Sequence, residues 1–125
     1  MNIPEDLNYT EEHEWVRFND GNAIVGITDF AQSQLGDIIF LELPDVQDKI
    51  IAGESFGEIE AVKTVSELYA PINGTVIEVN NDLEDFPEKV NKDCYRDGWI
   101  IKVKPEDETE KKDLLDHNQY RNIIE

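Results

Sequence analysis

The stretch Gly53-Glu54-Ser55-Phe56-Gly57-Glu58-Ile59-Glu60-Ala61-Val62-Lys63-Thr64-Val65-Ser66-Glu67-Leu68-Tyr69-Ala70-Pro71-Ile72-Asn73-Gly74 holds most of the information in the chain. Two strand-like runs, Phe56 to Glu60 and Val65 to Tyr69, flank Ala61-Val62-Lys63-Thr64. Paired antiparallel, they set Lys63 at the tip of a hairpin, where its ammonium stays in water and costs nothing to hold. Glu58, Glu60 and Glu67 surround that lysine with opposite charge. Ala70-Pro71 and Gly74 open the next turn and its return strand.

Outward from the hairpin, period-two patterning dominates. Glu14 to Phe18 run into the turn signal Asn19-Asp20-Gly21-Asn22, and Ala23 to Ile27 follow, which reads as a hairpin. Ile38 to Leu43 end at Pro44, which cannot donate to a ladder. Gly74 to Val79 run into the turn Asn80-Asn81-Asp82. In the strand 99–104, Trp99, Ile101 and Val103 share one face and Ile100, Lys102 and Lys104 the other. Short strands between turn signals predict a mainly β fold, a compact sandwich or barrel. Helix is confined to small pieces. Asp29 is expected to cap a short helix through Leu35, closed by Gly36. After Pro105 a helical segment of about residues 106–125 is expected. In it Leu114, Leu115, Tyr120, Ile123 and Ile124 form an apolar stripe, and Asp116 with Gln119 makes a capping box.

The 125 residues fit a single domain over 1–125, with enough surface hidden on folding for one core. With 29 acidic against 11 basic residues the net charge is −18, so nucleic acid and anionic membranes are poor partners. The same charge suits a soluble monomer that meets partners carrying basic patches. Cys94 is the one cysteine, which excludes an internal disulfide and points to a reducing compartment. No targeting segment or apolar run of membrane-spanning length is read, so the expected location is cytoplasmic.

A lysine at a turn ordinarily adds only solubility. Here Glu60-Ala61-Val62-Lys63, with Gly57 before it and Tyr69-Ala70-Pro71-Ile72 and Gly74 after it, resembles the lipoyl-carrier hairpin. Biotin carriers usually place methionine on both sides of their lysine, whereas Val62 and Thr64 stand here. Further blocks resemble the H proteins of the glycine cleavage system: His13-Glu14-Trp15-Val16, Gly26-Ile27-Thr28-Asp29, Leu35-Gly36-Asp37-Ile38, Leu41-Glu42-Leu43-Pro44 and Gly98-Trp99. They cover about residues 7–105 in order. Departures from the family pattern include Glu12 for a frequent serine, Gln34 for histidine, Ala61 and Thr64 beside the lysine, and Glu67 for aspartate.

The resemblance implies a flattened β-barrel or sandwich of hammerhead type with a C-terminal helix. It implies a carrier rather than an enzyme, with lipoate attached to Lys63 by a lipoate ligase or lipoyl transferase. The implied partners are the pyridoxal-phosphate glycine decarboxylase (P protein), the aminomethyltransferase (T protein) and dihydrolipoamide dehydrogenase (L protein). Glu14, assisted by Glu67, is the implied holder of the protonated amine in the arm's cleft. A lipoyl-relay protein, an unmodified hammerhead binding module and a free-standing enzyme are the alternatives. Independent active-site chemistry is not read: His13, His117 and Cys94 give no metal-ligand spacing, and no catalytic residue is assigned. His13 is expected to be structural, Trp15 and Trp99 to pack, and Cys94, between Asp93 and Asp97, to be an inert thiol.

Overall fold

The computed structural model describes the backbone of residues 1–125 and the side chains of all of them except 108 and 109. The strands are β1 (Asn8–Tyr9), β2 (Glu14–Asn19), β3 (Asn22–Ile27), β4 (Ile38–Glu42), β5 (Lys49–Ile50), β6 (Ser55–Ala61), β7 (Val65–Tyr69), β8 (Gly74–Val79) and β9 (Ile101–Pro105). The helices are α1 (Asp29–Leu35), α2 (Asp82–Asp85), α3 (Lys89–Lys92) and α4 (His117–Ile124), with a 3-10 turn over Glu108–Asp113.

Alternating apolar residues make these strands two-faced, and two faces meet. A six-stranded sheet runs β1-β2-β3-β9-β8-β5, and a three-stranded sheet runs β4-β6-β7, all neighbours antiparallel. Val16, Val25, Val76 and Val103 from the first pack with Leu41, Ile59, Ala61 and Leu68 from the second in one buried cluster. The fold is mainly β, as expected, but the sheets do not close into a barrel. The opposite face of β2 supplies Trp15 to a second cluster with Tyr9, Tyr95 and Tyr120. Residues adjacent on one strand thus serve different cores.

The β2–β3 hairpin closes as read, with Asn19 opposite Asn22 and positive φ at Asp20 and Gly21. That two-residue geometry matches the twist of the strands it joins, and Gly21 takes it without strain.

Several expectations change. The cap of α1 is Thr28, whose backbone is extended and whose Oγ1 accepts from Ala31 N–H at 3.1 Å. Asp29 is the first helical residue and accepts from Asn2 N–H instead. Asn80-Asn81-Asp82 leads into α2, and the buried Asn80 amide donates to the carbonyls of Asp97 and Trp99. This clamp displaces the start of β9 to Ile101, so Ile100 and Ile101 both enter the main core while Trp99 packs on the second cluster. The C-terminal stripe is also different. Leu114 and Leu115 precede α4, Leu115 bridges to Tyr9, and Ile123 is exposed. The capping box of Asp116 and Gln119 forms as expected, and Tyr120 alone of the stripe is fully buried.

Candidate functional site

Strands β6 and β7 pair from Ser55 opposite Tyr69 to Glu60 opposite Val65, and the chain turns through Val62, Lys63 and Thr64. Ala61 N–H donates to Thr64 C=O at 2.8 Å, closing the turn, and Val62 N–H donates to Asp37 C=O at 3.1 Å, tying the tip to the residue just before β4. Ala61 is buried while Val62, Lys63 and Thr64 are exposed. The small methyl of Ala61 anchors the hairpin in the core, and the next side chains leave the surface.

Lys63 stands at the tip as expected. Among the described residues its amine makes no ion pair, so Glu58, Glu60 and Glu67 do not clasp it. They lie on the outer face of the sheet instead, with Glu58 directly opposite Glu67. An exposed amine without a partner is open to acylation, because no bond must break to reach it.

Glu14 occupies a different environment. The first residue of β2, it is 2% exposed and lines a cleft of about 230 Å³ with Tyr9, Glu12, Tyr69, Pro71 and Leu115. Thr10 Oγ1 donates to its Oε1 at 2.6 Å, and Tyr69 N–H reaches Oε2 at 3.4 Å. Burial pushes its carboxyl up to about 8, against the pull of those hydrogen bonds. Oε1 is engaged and Oε2 is held only by a long contact. The cleft thus has a carboxyl floor with one oxygen available to a donor such as an ammonium.

Glu67 does not join Glu14 there. Two residues before Tyr69, it accepts from Ser55 Oγ and lines a separate groove with Glu42, Asp48 and Glu58. Thr10, which the sequence reading did not single out, orients Glu14 through the turn between β1 and β2. That turn places a positive φ at His13, a conformation that histidine adopts more readily than most non-glycine residues. His13 has a structural setting: its Nδ1 lies 2.9 Å from Tyr120 Oη, its ring packs on Phe30, and burial holds it below the usual histidine range. Among the described residues no group of His, Cys, Asp and Glu could hold a metal, and no helix is long and apolar enough to cross a membrane.

Comparison with known proteins finds relatives that match nearly the whole chain. A family model described as glycine cleavage H-protein matches residues 7–125. A glycine cleavage system H protein of Bacillus licheniformis is 56% identical over 99% of this chain and 98% of its own length. One from Listeria monocytogenes is 52% identical over the full length of both. The crystal structure of a glycine cleavage system H protein from Mycobacterium marinum superposes with a TM-score of 0.89 at 40% identity, covering 96% of this chain and 97% of that one. With its lysine-tipped hairpin, its two open sheets and this likeness from end to end, the chain belongs to the glycine cleavage H-protein family.

Proposed function

We infer that Lys63 carries lipoate in amide linkage and that the chain serves as a non-enzymatic carrier, holding the aminomethyl group of glycine between enzymes. The observation that carries this is the Lys63 amine itself, exposed at a tight tip and unpaired among the described residues. When attached, the lipoyl group would supply a redox-active disulfide able to hold the aminomethyl unit through sulfur while the arm stays bound to Lys63. The residues of the chain bind, orient and shelter.

The cleft at Glu14 is where the loaded amine would be received. Its Oε2 is left for an ammonium, whose positive charge would draw off the proton that burial holds on the carboxyl; Thr10 fixes the carboxyl plane through Oε1, and Glu12 adds negative charge at the wall. Pro71 and Leu115 give apolar walls that limit the water reaching the cargo. Tethering keeps the cargo at a high effective concentration near each docked enzyme. The enzymes served are the P, T and L proteins of the glycine cleavage system. A lipoate ligase or lipoyl transferase attaches the arm. A chain with one free, buried thiol and no disulfide suits a reducing cytoplasm.

Intact-mass measurement on protein from a lipoate-replete host tests the reading. A lipoyl-sized increment is expected on the wild type and its absence on Lys63→Arg. An unmodified wild type, or an increment that survives the substitution, overturns it.

A further inference from the structure

The three-stranded sheet buries one face and leaves the other bare. Ile38, Leu41, Ile59, Ala61 and Leu68 point into the core. On the opposite face the register aligns two rows across the strands. Phe40, Glu60 and Val65 form the row nearer the tip, and Glu42, Glu58 and Glu67 form the next. Phe40 and Val65 are 54% and 55% exposed, and the bulged Ile39 and the tip residue Val62 extend the same apolar patch. The second row lines a groove of about 310 Å³ with Asp48.

Three carboxylates side by side on neighbouring strands repel one another and lower stability. Among the described residues no basic side chain forms an ion pair with them. A metal ion is not the missing countercharge, because these carboxylates form no grouping able to hold one. An apolar patch beside an acidic groove is the complement of a protein surface with an apolar spot and a basic rim.

The position of Lys63 fixes which partner this is. An enzyme acting on its amine needs a footprint of about 800 Å² for a standard interface. The tip offers three residues, Val62, Lys63 and Thr64, so most of the contact must fall on what lies beside them. The bare face continues directly from the tip along β6 and β7. A second copy of the chain would bring −18 against −18.

We propose that the outer face of β4-β6-β7 is the docking surface for the enzyme that acylates Lys63, with Phe40, Ile39 and Val65 as the apolar contact and the groove of Glu42, Glu58 and Glu67 receiving lysine or arginine side chains. The inference rests on the assignment of Lys63 as the acylated residue.

The test is steady-state acylation of the full-length chain by a purified lipoate ligase with lipoate and ATP, across a series of salt concentrations. The triple variant Glu42→Gln, Glu58→Gln, Glu67→Gln and the single variant Phe40→Ser are compared with wild type and with Glu5→Gln, which lies outside the face. Each face variant is expected to lose about tenfold or more in kcat/KM, mainly through KM, while Glu5→Gln stays at the wild-type value. The triple variant should also lose most of the salt dependence and be at least as stable as wild type, which separates docking from misfolding. Equal kcat/KM and equal salt slopes in wild type and triple variant overturn the proposal. So does a wild-type dimer that Phe40→Ser dissociates, which assigns the face to a second copy. A wild type that is not acylated at all refutes the Lys63 assignment itself, and the docking face falls with it.

Discussion

Glu14 at the start of β2 and Tyr69 at the end of β7 meet across the gap between the two sheets, the Tyr69 N–H lying 3.4 Å from Glu14 Oε2. The same strand that ends beside this buried carboxyl begins two residues after Lys63. The carboxyl at the floor of the cleft and the lysine at the tip therefore lie beside opposite ends of β7. Movement of the hairpin as a body would change both.

The burial of Glu14 makes stability depend on pH. Its carboxyl titrates near 8 in the fold and at about 4.5 in the unfolded chain, so the folded state holds the proton more tightly. Stability from this group is therefore full at low pH, falls as pH rises from about 4.5 to about 8, and is level above that. Glu14→Gln removes the slope. The variant should exceed wild type by a few kcal/mol near pH 9 and converge on it near pH 5, in urea unfolding at each pH. His13, held low by burial, slopes the other way in both proteins and cancels in the comparison. Parallel pH curves for the two proteins would show that Glu14 ionises freely in the fold.

Gly26 lies opposite Trp15, and a methyl group there would come within 2.7 Å of the indole ring. The indole has nowhere to go: it is fully buried and its Nε1 donates to Cys94 C=O at 3.0 Å. Gly26→Ala should cost about 1–3 kcal/mol through overpacking and loss of that bond. The midpoint of denaturation should fall with an unchanged denaturant slope, and tryptophan emission should shift. An unaffected midpoint would mean that β2 and β3 can part at little cost.

Both long hairpins were legible because their patterns are local. Asp20-Gly21 dictates the first turn, and the alternation from Phe56 to Tyr69 dictates the second. What was not legible depends on partners distant in sequence. Two-residue strands such as β1 and β5 exist only through their pairing with β2 and β8. Thr28 and Asp29 are both good caps, and the choice between them is made by Tyr95, whose Oη accepts from Asp29 N–H, and by Tyr120 against Thr28. Leu114 and Leu115 suit a helical stripe, yet Leu114 closes a turn onto Lys111 C=O and Leu115 pairs with Tyr9, which keeps both out of α4. At the site, Lys63 could be placed from the sequence alone, whereas a glutamate opening an alternating strand reads as solvated. Its burial comes from the second sheet.

Tyr120 holds the C-terminal helix to the rest of the molecule. It stacks on Tyr9 with ring centres 4.7 Å apart, and its Oη lies 2.7 Å from Thr28 Oγ1 and 2.9 Å from His13 Nδ1. Tyr120→Phe keeps the stack and deletes both bonds, leaving buried Thr28 short of a partner. The expected loss is about 1–3 kcal/mol. Tyr120→Ala should cost more, about 3–5 kcal/mol, because it also empties a buried aromatic site. Urea denaturation distinguishes the two, and equal losses would place the whole contribution in the hydroxyl.

Cys94 should behave as a buried, inert thiol although its chain neighbours are polar. It is 6% exposed, and burial, then Asp29, then Asp93 push it up to about 12, so almost no thiolate exists at neutral pH. The acidic neighbours anticipated were Asp93 and Asp97, but the fold brings Asp29 rather than Asp97 to bear. Alkylation by iodoacetamide should be undetectable in native protein on the timescale that labels urea-unfolded chain to completion. Trace labelling in the native state should grow with denaturant in step with global unfolding, since the thiol is covered by the same cluster that holds Trp15 and Tyr120. Fast native labelling at neutral pH would mean that this second core opens on its own, ahead of the main one.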